Sequence, residues 1–284
     1  MGEAQCLVGP SSLIRTDETN VQFRRDKLAG IFRRARAGKL SSGQEMLDNL
    51  KSRYDNDLYE GYCVHAYPGL HAKLEAILLK HAPSPGDVLD LGCGSGAWGK
   101  RLADKGYIVE GVDIEPSSER PFPFRVVDLN TDFSCKFEKK YSVVTAIELA
   151  EHIENPRHLL RQVKRLLKPG GILLLSTPNA SSLYSRARFF LTGTMASFTD
   201  LSYKTIGHIT PITAWQMEKM IEESGLEVIE FQFADSKFLP PKSVADFVKA
   251  FCWVALRPFM MGKVGGQSMI VVLRNGLAAK ALKS

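Results

Sequence analysis

The chain has 284 residues, enough for one large domain or for one domain with an appendage. Its composition, 44% hydrophobic and 24% charged, excludes a disordered, collagen-like or disulfide-stapled small protein. The formal net charge of +6 is a mild basic excess, which favours anionic surfaces weakly and does not by itself indicate nucleic acid.

The cysteines and the first residues indicate a reducing compartment. The five cysteines are scattered and include no C-x-x-C pair, so we expect neither a disulfide framework nor a thiolate zinc site. The N-terminus lacks the basic and apolar regions of a signal peptide. No apolar run reaches the roughly 20 residues of a membrane-spanning helix. The prediction is a cytoplasmic protein with at most peripheral membrane contact.

The first part of the chain, residues 1–68, is predicted to form an N-terminal helical cap. It contains a basic helical pattern at 21–36, which fits either a helix packed on the core or one that lies on an anionic membrane. Residues 1–60 contain ten Lys and Arg but also nine Asp and Glu, and this balance disfavours nucleic acid as a partner.

Residues 69–284 are predicted to form the main domain. Apolar runs alternate with helical patterns, which is typical of an α/β fold with a parallel sheet covered by helices on both faces. An apolar helical insertion is expected at about 236–262, before the last strand. The predicted strands are 88–91, 108–114, 124–129, 141–147, 172–176, 228–233 and 269–273. The predicted helices are 97–105, one that Asn155 caps and Pro169 ends, and 213–224.

A glycine turn follows the first of these strands, and residues 88–96 read V-L-D-L-G-C-G-S-G. Glycines at a strand-to-helix turn let the backbone approach a ligand closely, and the following helix N-terminus offers free amide donors. The sequence therefore predicts a ligand-binding turn rather than a merely tight one.

Two classes of ligand fit this turn. Residues 94–99 match G-x-G-x-x-G and Asp113 follows Gly94 by nineteen positions (113 − 94), as in dinucleotide-binding proteins. Asp90, however, stands directly before the glycines. Its carboxylate would repel a pyrophosphate and attract a cationic amino acid.

Four segments together resemble one family. They are D-x-G-x-G-x-G at 90–96, the strand-end acid Asp113, Asp128 within V-V-D-L-N, and L-K-P-G-G at 167–171. Over about residues 60–275 the chain resembles the class I S-adenosylmethionine-dependent methyltransferases. The resemblance implies a biosynthetic transferase with a Rossmann-like, seven-stranded, mostly parallel sheet and helices on both faces.

The resemblance also implies how S-adenosylmethionine would bind. The turn of Gly92, Gly94 and Gly96 would hold the methionine part, with Asp90 near its ammonium group. The carboxyl end of the second strand, Asp113 with Ile114 after it, would accept both ribose hydroxyls.

The adenine would then lie at the third strand. There the resemblance implies that Asp128 accepts from the adenine amino group and that Leu129 lies alongside the ring. Both residues follow a strand at its carboxyl end, where open α/β sheets bind ligands.

Residues 148–152 read E-L-A-E-H and follow the fourth strand. This segment resembles that of the ubiquinone-biosynthesis O-methyltransferases and of the enzymes that 2′-O-methylate small-RNA 3′ ends. Both families carry a later histidine, here His208. The resemblance implies that Glu148, Glu151, His152 and His208 surround a divalent cation (magnesium, manganese or zinc). Glu148 is also expected to contact the cofactor.

Two metal-free interpretations of the same segment stay open. In one, His152 is a general base that Glu151 orients. In the other, the pair caps the loop and has a structural role. A hydroxyl acceptor must lose a proton and an amine needs less help, so the cluster favours O-methylation.

The expected acceptor is a hydroxyl of a small molecule, a glycan or a lipid-linked precursor. It would contact the segment before the glycine strand, including His65, and the segment 177–211 after the fifth strand. The alternatives are an N-methyltransferase, an RNA 2′-O-methyltransferase, a NAD-dependent oxidoreductase and a non-catalytic membrane or RNA adaptor. The sequence gives no oligomeric state.

Overall fold

The computed structural model describes residues 57–117, 119–234, 261–262 and 265–276. The basic pattern at 21–36 and almost all of the insertion predicted at 236–262 lie outside the described residues. The chain divides into two compact units, Met1–Arg53 and Tyr54–Ser284, and the described residues all belong to the second. The boundary between residues 68 and 69 stays a prediction.

Nine strands and six α-helices are described. The strands are β1 Leu58–Tyr59, β2 Tyr62–Cys63, β3 Asp87–Leu91, β4 Ile108–Asp113, β5 Phe124–Val126, β6 Tyr141–Ile147, β7 Leu167–Pro178, β8 Glu227–Ala234 and β9 Ser268–Arg274. The helices are α1 Leu70–His81, α2 Ala97–Ala103, α3 Pro156–Leu166, α4 Leu183–Thr192, α5 Asp200–Thr205 and α6 Ala214–Ser224. Among these helices, none is long and apolar enough to cross a bilayer.

The last seven strands form one sheet in the order β5-β4-β3-β6-β7-β9-β8, and β1 and β2 form a separate hairpin. Five neighbouring strands of the sheet, β3 to β7, are parallel, and β9 runs antiparallel to both β7 and β8. The predicted Rossmann-like, mostly parallel sheet of seven strands is thereby confirmed.

Alternate residues of the central strands face opposite sides of the sheet, as the two-residue period of a strand requires. Val143 packs with the apolar residues of α1 and α2, whereas Val144 packs with those of α3 and α6. Because both sides are covered, the strands are apolar along their length. The predicted cover of helices on both faces is also confirmed.

Local signals explain where the helices begin and end. The Asn155 side chain accepts from the His158 amide and Pro156 occupies the first helical position of α3. Thr213 and Gln216 form a capping box at the start of α6, and Gly225 ends that helix with a φ of 65°.

Two predicted strands differ from the observed ones by more than one residue at an end. β5 ends at Val126 instead of Leu129, because the Asp128 side chain accepts from the Asn130 amide and turns the chain. β7 begins at Leu167 instead of Ile172. A Cβ on Gly171 would lie 2.9 to 3.1 Å from the carbonyl oxygens of Lys168, Tyr141 and Ser142. The glycine therefore permits a close approach to β6.

The edge strand β8 is joined to α1 by an ionic cluster. Glu230 accepts from His81 and, at 3.0 Å, from Lys80. The bond from His81, with those from Lys80 and Gln232, lowers the pKa of Glu230 to about 2 against the cost of burial. A carboxyl with a depressed pKa stabilises the fold above its ordinary pKa, and this contribution disappears as the pH falls towards 2.

Glu230→Gln is expected to lower the free energy of unfolding by about 1–2 kcal/mol at pH 7. This range is smaller than the pKa shift alone would give, because solvent screens the interaction with the exposed Lys80. The difference from the wild type should shrink steadily below pH 4.5. Urea unfolding at pH 7, 5 and 4 measures it. Glu227→Gln, an exposed glutamate of the same strand, is the matched control with little effect. An equal loss at every pH would contradict the ionic origin.

Candidate active site

The glycine turn joins β3 to α2 at the carboxyl edge of the sheet. Gly92, Gly94 and Gly96 have φ values of 68°, 53° and 96°, a region that residues with a Cβ rarely occupy. A Cβ on Gly92 would also lie 2.7 Å from Cδ1 of Leu149. The sequence prediction of a turn that needs glycine is therefore matched by its backbone.

Asp90 lies in β3 beneath the turn and is 2% exposed. Its Oδ1 accepts from the Thr145 hydroxyl at 2.7 Å, and its buried Oδ2 has no hydrogen-bond partner among the described residues. Burial raises the pKa of this carboxyl to about 7; the Thr145 bond opposes the shift and the charge of Asp113 adds to it. An uncompensated buried oxygen favours a cationic or hydrogen-bonding ligand at this point.

Asp113 ends β4 beside the turn. Its Oδ2 accepts from the Gly94 amide at 2.8 Å and its Oδ1 from the Glu115 amide at 3.1 Å. Each carboxylate oxygen keeps a second lone pair, so the group can still accept from two hydroxyls. Ile114 follows and is 42% exposed, so its side chain offers apolar surface at the same edge.

Asp128 and Leu129 follow β5. Oδ1 of Asp128 accepts from both the backbone and the side-chain amide of Asn130, at 2.9 and 3.0 Å. The Leu129 side chain is buried in the core. These bonds fix the orientation of the Asp128 carboxyl at the carboxyl edge of the sheet.

The third glycine of the G-x-G-x-x-G pattern has a packing role. A Cβ on Gly99 or on Gly111 would overlap the ring of Phe122, which lies in the linker between β4 and β5. A Cβ on Gly96 would lie 3.5 Å from the same ring. The glycine at position 99, which completes the dinucleotide-like pattern, is therefore explained by the room that the Phe122 ring requires, and a bound pyrophosphate is not needed to explain it.

Gly99→Ala is expected to destabilise the domain by about 1–3 kcal/mol, because the added methyl group displaces the Phe122 ring. Chemical unfolding measures the effect. The double variant Gly99→Ala/Phe122→Leu should cost less than the sum of the two single variants, since both act on one contact. Additive losses would show that the ring and the glycine are not coupled.

Glu148 follows β6 with a φ of 48°, a left-handed conformation that is uncommon outside glycine. Its amide donates to the Ser176 carbonyl at 3.0 Å, and its Oε1 accepts from the Ser176 hydroxyl at 2.9 Å. Burial raises the pKa of Glu148 to about 7, against the bond from the Ser176 hydroxyl. The hydrogen bonds with Ser176 of β7 therefore keep Glu148 in this strained conformation.

The structure brings Glu151, His152 and His208 together. The Glu151 side chain is fully buried; its Oε2 accepts from the Thr177 hydroxyl at 2.9 Å, and its Oε1 has no hydrogen-bond partner among the described residues. That Oε1 lies 3.9 Å from Nε2 of His152 and 4.0 Å from Nε2 of His208. Ligand atoms of the three residues all lie within 4.8 Å of one another.

Backbone carbonyls define the tautomer of both imidazoles. Nδ1 of His152 lies 3.2 Å from the Gly207 carbonyl, and Nδ1 of His208 lies 2.8 Å from the Ser197 carbonyl. A carbonyl only accepts, so each Nδ1 donates and each Nε2 presents a lone pair towards Glu151.

Burial determines the charges of Glu151, His152 and His208, which we call the trio. It lowers the pKa of His208 to about 4, with His152 adding to the shift, and it also lowers the pKa of His152 itself. Burial and the neighbouring Glu148 raise the pKa of Glu151 well above its ordinary value. The cluster therefore consists of two neutral imidazoles around a carboxyl that is costly to ionise without a positive partner.

Two residues of the site carry no sequence signal. Arg120 bonds the glycine turn from the linker between β4 and β5. Ser197, with a φ of 64°, presents the carbonyl that orients His208, and its hydroxyl lies 3.4 Å from that of Tyr67. Only the left-handed backbone of a non-glycine residue marks Ser197, and backbone angles are not legible in a sequence.

Two of the predicted acceptor segments border this edge. Nδ1 of His65 would lie 3.5 Å from a Cβ on Gly94, so this imidazole forms a wall beside the turn. After β7, Phe189 and Phe190 of α4 are exposed, at 52% and 89%. The contact of either segment with an acceptor stays a prediction.

Comparisons with known proteins identify the family of the chain. A family model described as a methyltransferase domain matches residues 64–231. The ubiquinone biosynthesis O-methyltransferase of Coxiella burnetii (strain RSA 331 / Henzerling II) is 28% identical over 152 residues, 50% of this chain and 64% of that protein. The protein of that name from Haemophilus ducreyi is 36% identical over 106 residues, 32% of this chain and 45% of its own. The matches thus span less than two thirds of the length of these relatives.

Among solved structures, a SAM-dependent methyltransferase from Archaeoglobus fulgidus is 19% identical with a TM-score of 0.49, over 72% of this chain and 94% of that one. The N-methyltransferase NodS of Bradyrhizobium japonicum, in complex with S-adenosylhomocysteine, is 15% identical with a TM-score of 0.43, over 72% and 85%. The family model covers more than half of the chain, and the predicted resemblance is confirmed. The chain belongs to the methyltransferase-domain family, among the class I S-adenosylmethionine-dependent methyltransferases.

Proposed function

We propose that the protein transfers a methyl group from S-adenosylmethionine to a hydroxyl of a small molecule. The observation that carries the proposal is the trio beside the glycine turn. The buried Oε1 of Glu151, which has no partner among the described residues, faces the Nε2 atoms of two imidazoles. Each Nε2 has a free lone pair because the proton of the ring is on Nδ1. A methyl transfer to an amine has little use for such a cluster, whereas a hydroxyl must lose a proton.

The residues present fit the methyl donor. Asp90 offers a buried oxygen without a partner to a cationic amino-acid group, and the positive-φ glycines let the backbone come close to it. When bound, S-adenosylmethionine supplies an electrophilic methyl group on a sulfonium. The chain's own contribution is orientation: Asp113 and Asp128 accept from ribose and adenine, and the turn excludes water from the amino-acid end.

Proton removal is assigned to the imidazoles. Nε2 of His152 is the more accessible base, since its side chain is 33% exposed and that of His208 is 10% exposed. The Gly207 carbonyl holds the His152 ring in place through Nδ1. Glu151 is then the group that stabilises the imidazolium after proton transfer.

As the alternative to a metal-free base, we propose that Glu151, His152 and His208 hold a divalent cation, magnesium, manganese or zinc, which would occupy the Nε2 lone pairs in place of a proton. Two ligands each about 2.1 Å from one ion are at most about 4.2 Å apart, and Oε1 lies within that limit of both Nε2 atoms. The three ligand atoms together lie within 4.8 Å of one another, so binding of an ion would draw the two imidazoles closer together. Histidine ligands commonly donate their other nitrogen to a carbonyl, as both do here. When bound, such a cation lowers the pKa of a coordinated hydroxyl. Glu148, bonded to Ser176, stays a predicted fourth ligand.

The acceptor is proposed from the relatives only as a class. The proteins that match are named for O-methylation in ubiquinone biosynthesis, which supports a hydroxyl of a small molecule. A glycan or lipid-linked acceptor, and contact with a membrane surface, remain predictions from the sequence.

Titration calorimetry with S-adenosylhomocysteine, with and without magnesium or manganese, tests the cofactor and the cation separately. We expect micromolar binding of S-adenosylhomocysteine and no binding of NADH. A panel of phenols, sugars and amines, read out as release of S-adenosylhomocysteine, then tests the acceptor. Turnover of amines alone would overturn the proposal of O-methylation. Binding of NADH without binding of S-adenosylhomocysteine would overturn the proposal of a methyl transfer.

A further inference from the structure

Arg120 lies in the linker between β4 and β5 and is almost fully buried, with its side chain 4% exposed. Its Nε donates to the Gly94 carbonyl at 2.7 Å and its Nη1 to the Glu115 carbonyl at 3.0 Å. Nη2 lies 3.9 Å from Oδ2 of Asp113. One guanidinium therefore contacts the glycine turn, the strand-end acid and the segment after that acid.

The residues that follow Arg120 in the chain hold this guanidinium against the turn. The Phe124 ring stacks on it at 3.8 Å, which stabilises a buried cation. On the other side of the linker, a Cβ on Gly96 would lie 2.9 Å from Cδ of Pro121, and the Phe122 ring fills the space at Gly99. The rigid fork of arginine is thus fixed in one orientation, and a flexible lysine could not make the same three contacts.

We propose that Arg120 is the positioning residue that ties the two halves of the S-adenosylmethionine site together. The proposal rests on the proposed function, in which the glycine turn holds the amino-acid half and Asp113 the ribose. Arg120 spans the two halves because it bonds the Gly94 carbonyl of the turn and the Glu115 carbonyl two residues after Asp113. It also places a positive charge beside Asp113, which with Asp90 puts two carboxyls in one site.

The role predicts a separation of kinetic effects. Arg120→Met should raise KM for S-adenosylmethionine and weaken binding of S-adenosylhomocysteine by 10- to 100-fold, with kcat and KM for the acceptor changed less than threefold. Binding of 5′-methylthioadenosine, which lacks the amino-acid half, should weaken by less than threefold. Arg120→Lys keeps the charge but not the fork, and should restore only part of the affinity.

Arg125 provides a matched control. It also stacks on a phenylalanine, donates to a carboxylate of Glu110 and donates to a backbone carbonyl, but it does not contact the turn. Arg125→Met should leave calorimetric binding of S-adenosylhomocysteine unchanged, and urea unfolding of both variants corrects for losses of stability.

Three results are decisive. Wild-type affinity in Arg120→Met, or an equal loss for S-adenosylhomocysteine and 5′-methylthioadenosine, would overturn the tie between the halves. Full rescue by lysine would reduce the role to charge and overturn it as well. If the wild type itself binds no S-adenosylhomocysteine, the proposed function fails first, and that result is separate from any effect of Arg120.

Discussion

Asp113→Ala is expected to weaken binding of S-adenosylhomocysteine about 100-fold, measured by titration calorimetry. The carboxylate closes the glycine turn through the Gly94 amide and keeps free lone pairs for two ribose hydroxyls. Two hydrogen bonds to a charged group, at about 1.5 kcal/mol each, amount to about 3 kcal/mol, which is roughly a hundredfold in affinity. Asp113→Asn keeps one accepting oxygen and should lose about tenfold.

The control for Asp113 is its exposed neighbour Glu115. Glu115→Gln leaves the backbone amide that bonds Asp113 in place, so its affinity should match the wild type. Urea unfolding shows how much of any effect comes from a loosened turn. Binding by Asp113→Ala within threefold of the wild type would remove Asp113 from the cofactor site.

Replacing a member of the trio should abolish most turnover and spare the cofactor. Glu151→Gln and His208→Ala are each expected to lower kcat at least about 100-fold, the scale of a lost general base or ligand, with S-adenosylhomocysteine affinity within threefold. Calorimetry with manganese should show weakened uptake in both. His158→Ala is the matched control, because His158 also bonds a backbone carbonyl but lies outside the trio.

Stability should change in the opposite direction for Glu151→Gln. The substitution removes a buried carboxyl whose pKa is raised, keeps an acceptor for Thr177 and adds an amide that can donate to the imidazoles. In metal-free protein the melting temperature should therefore rise or stay constant while kcat falls, as expected for a group retained for function. A large loss of stability with unchanged turnover would favour the structural interpretation of the Glu-His pair.

Much of the fold could be predicted from the sequence because its central strands are buried on both sides. Short apolar segments located every strand of the main sheet, and the cap Asn155 located the start of α3. The limits of β5 and β7 were not legible. Gly171 looks like a helix stop, whereas it serves a close approach to carbonyls of β6, a contact between segments about thirty residues apart.

The residues of the site also divide into those that the sequence could predict and those that it could not. Asp90 could be named from its place directly before the glycines, and the trio of Glu151, His152 and His208 from the resemblance of its segments to known methyltransferases. Arg120 could not, because its partner Gly94 lies 26 residues away and an arginine in a proline-rich linker has no pattern of its own. Contacts that tertiary packing creates between segments leave no local trace.

The connection between β8 and β9 is a place where the domain can tolerate changes in length and composition. Ala234 pairs with Ser268 and accepts from the Gln267 amide, while Asn179 donates to the Gly265 carbonyl. The chain thus departs and returns at one point, next to Asn179, which follows the end of β7. Since such an excursion interrupts no strand, its length and composition can drift freely. Exchanging residues 235–264 between family members should therefore leave the pairing of β8 with β9, and with it the sheet, intact.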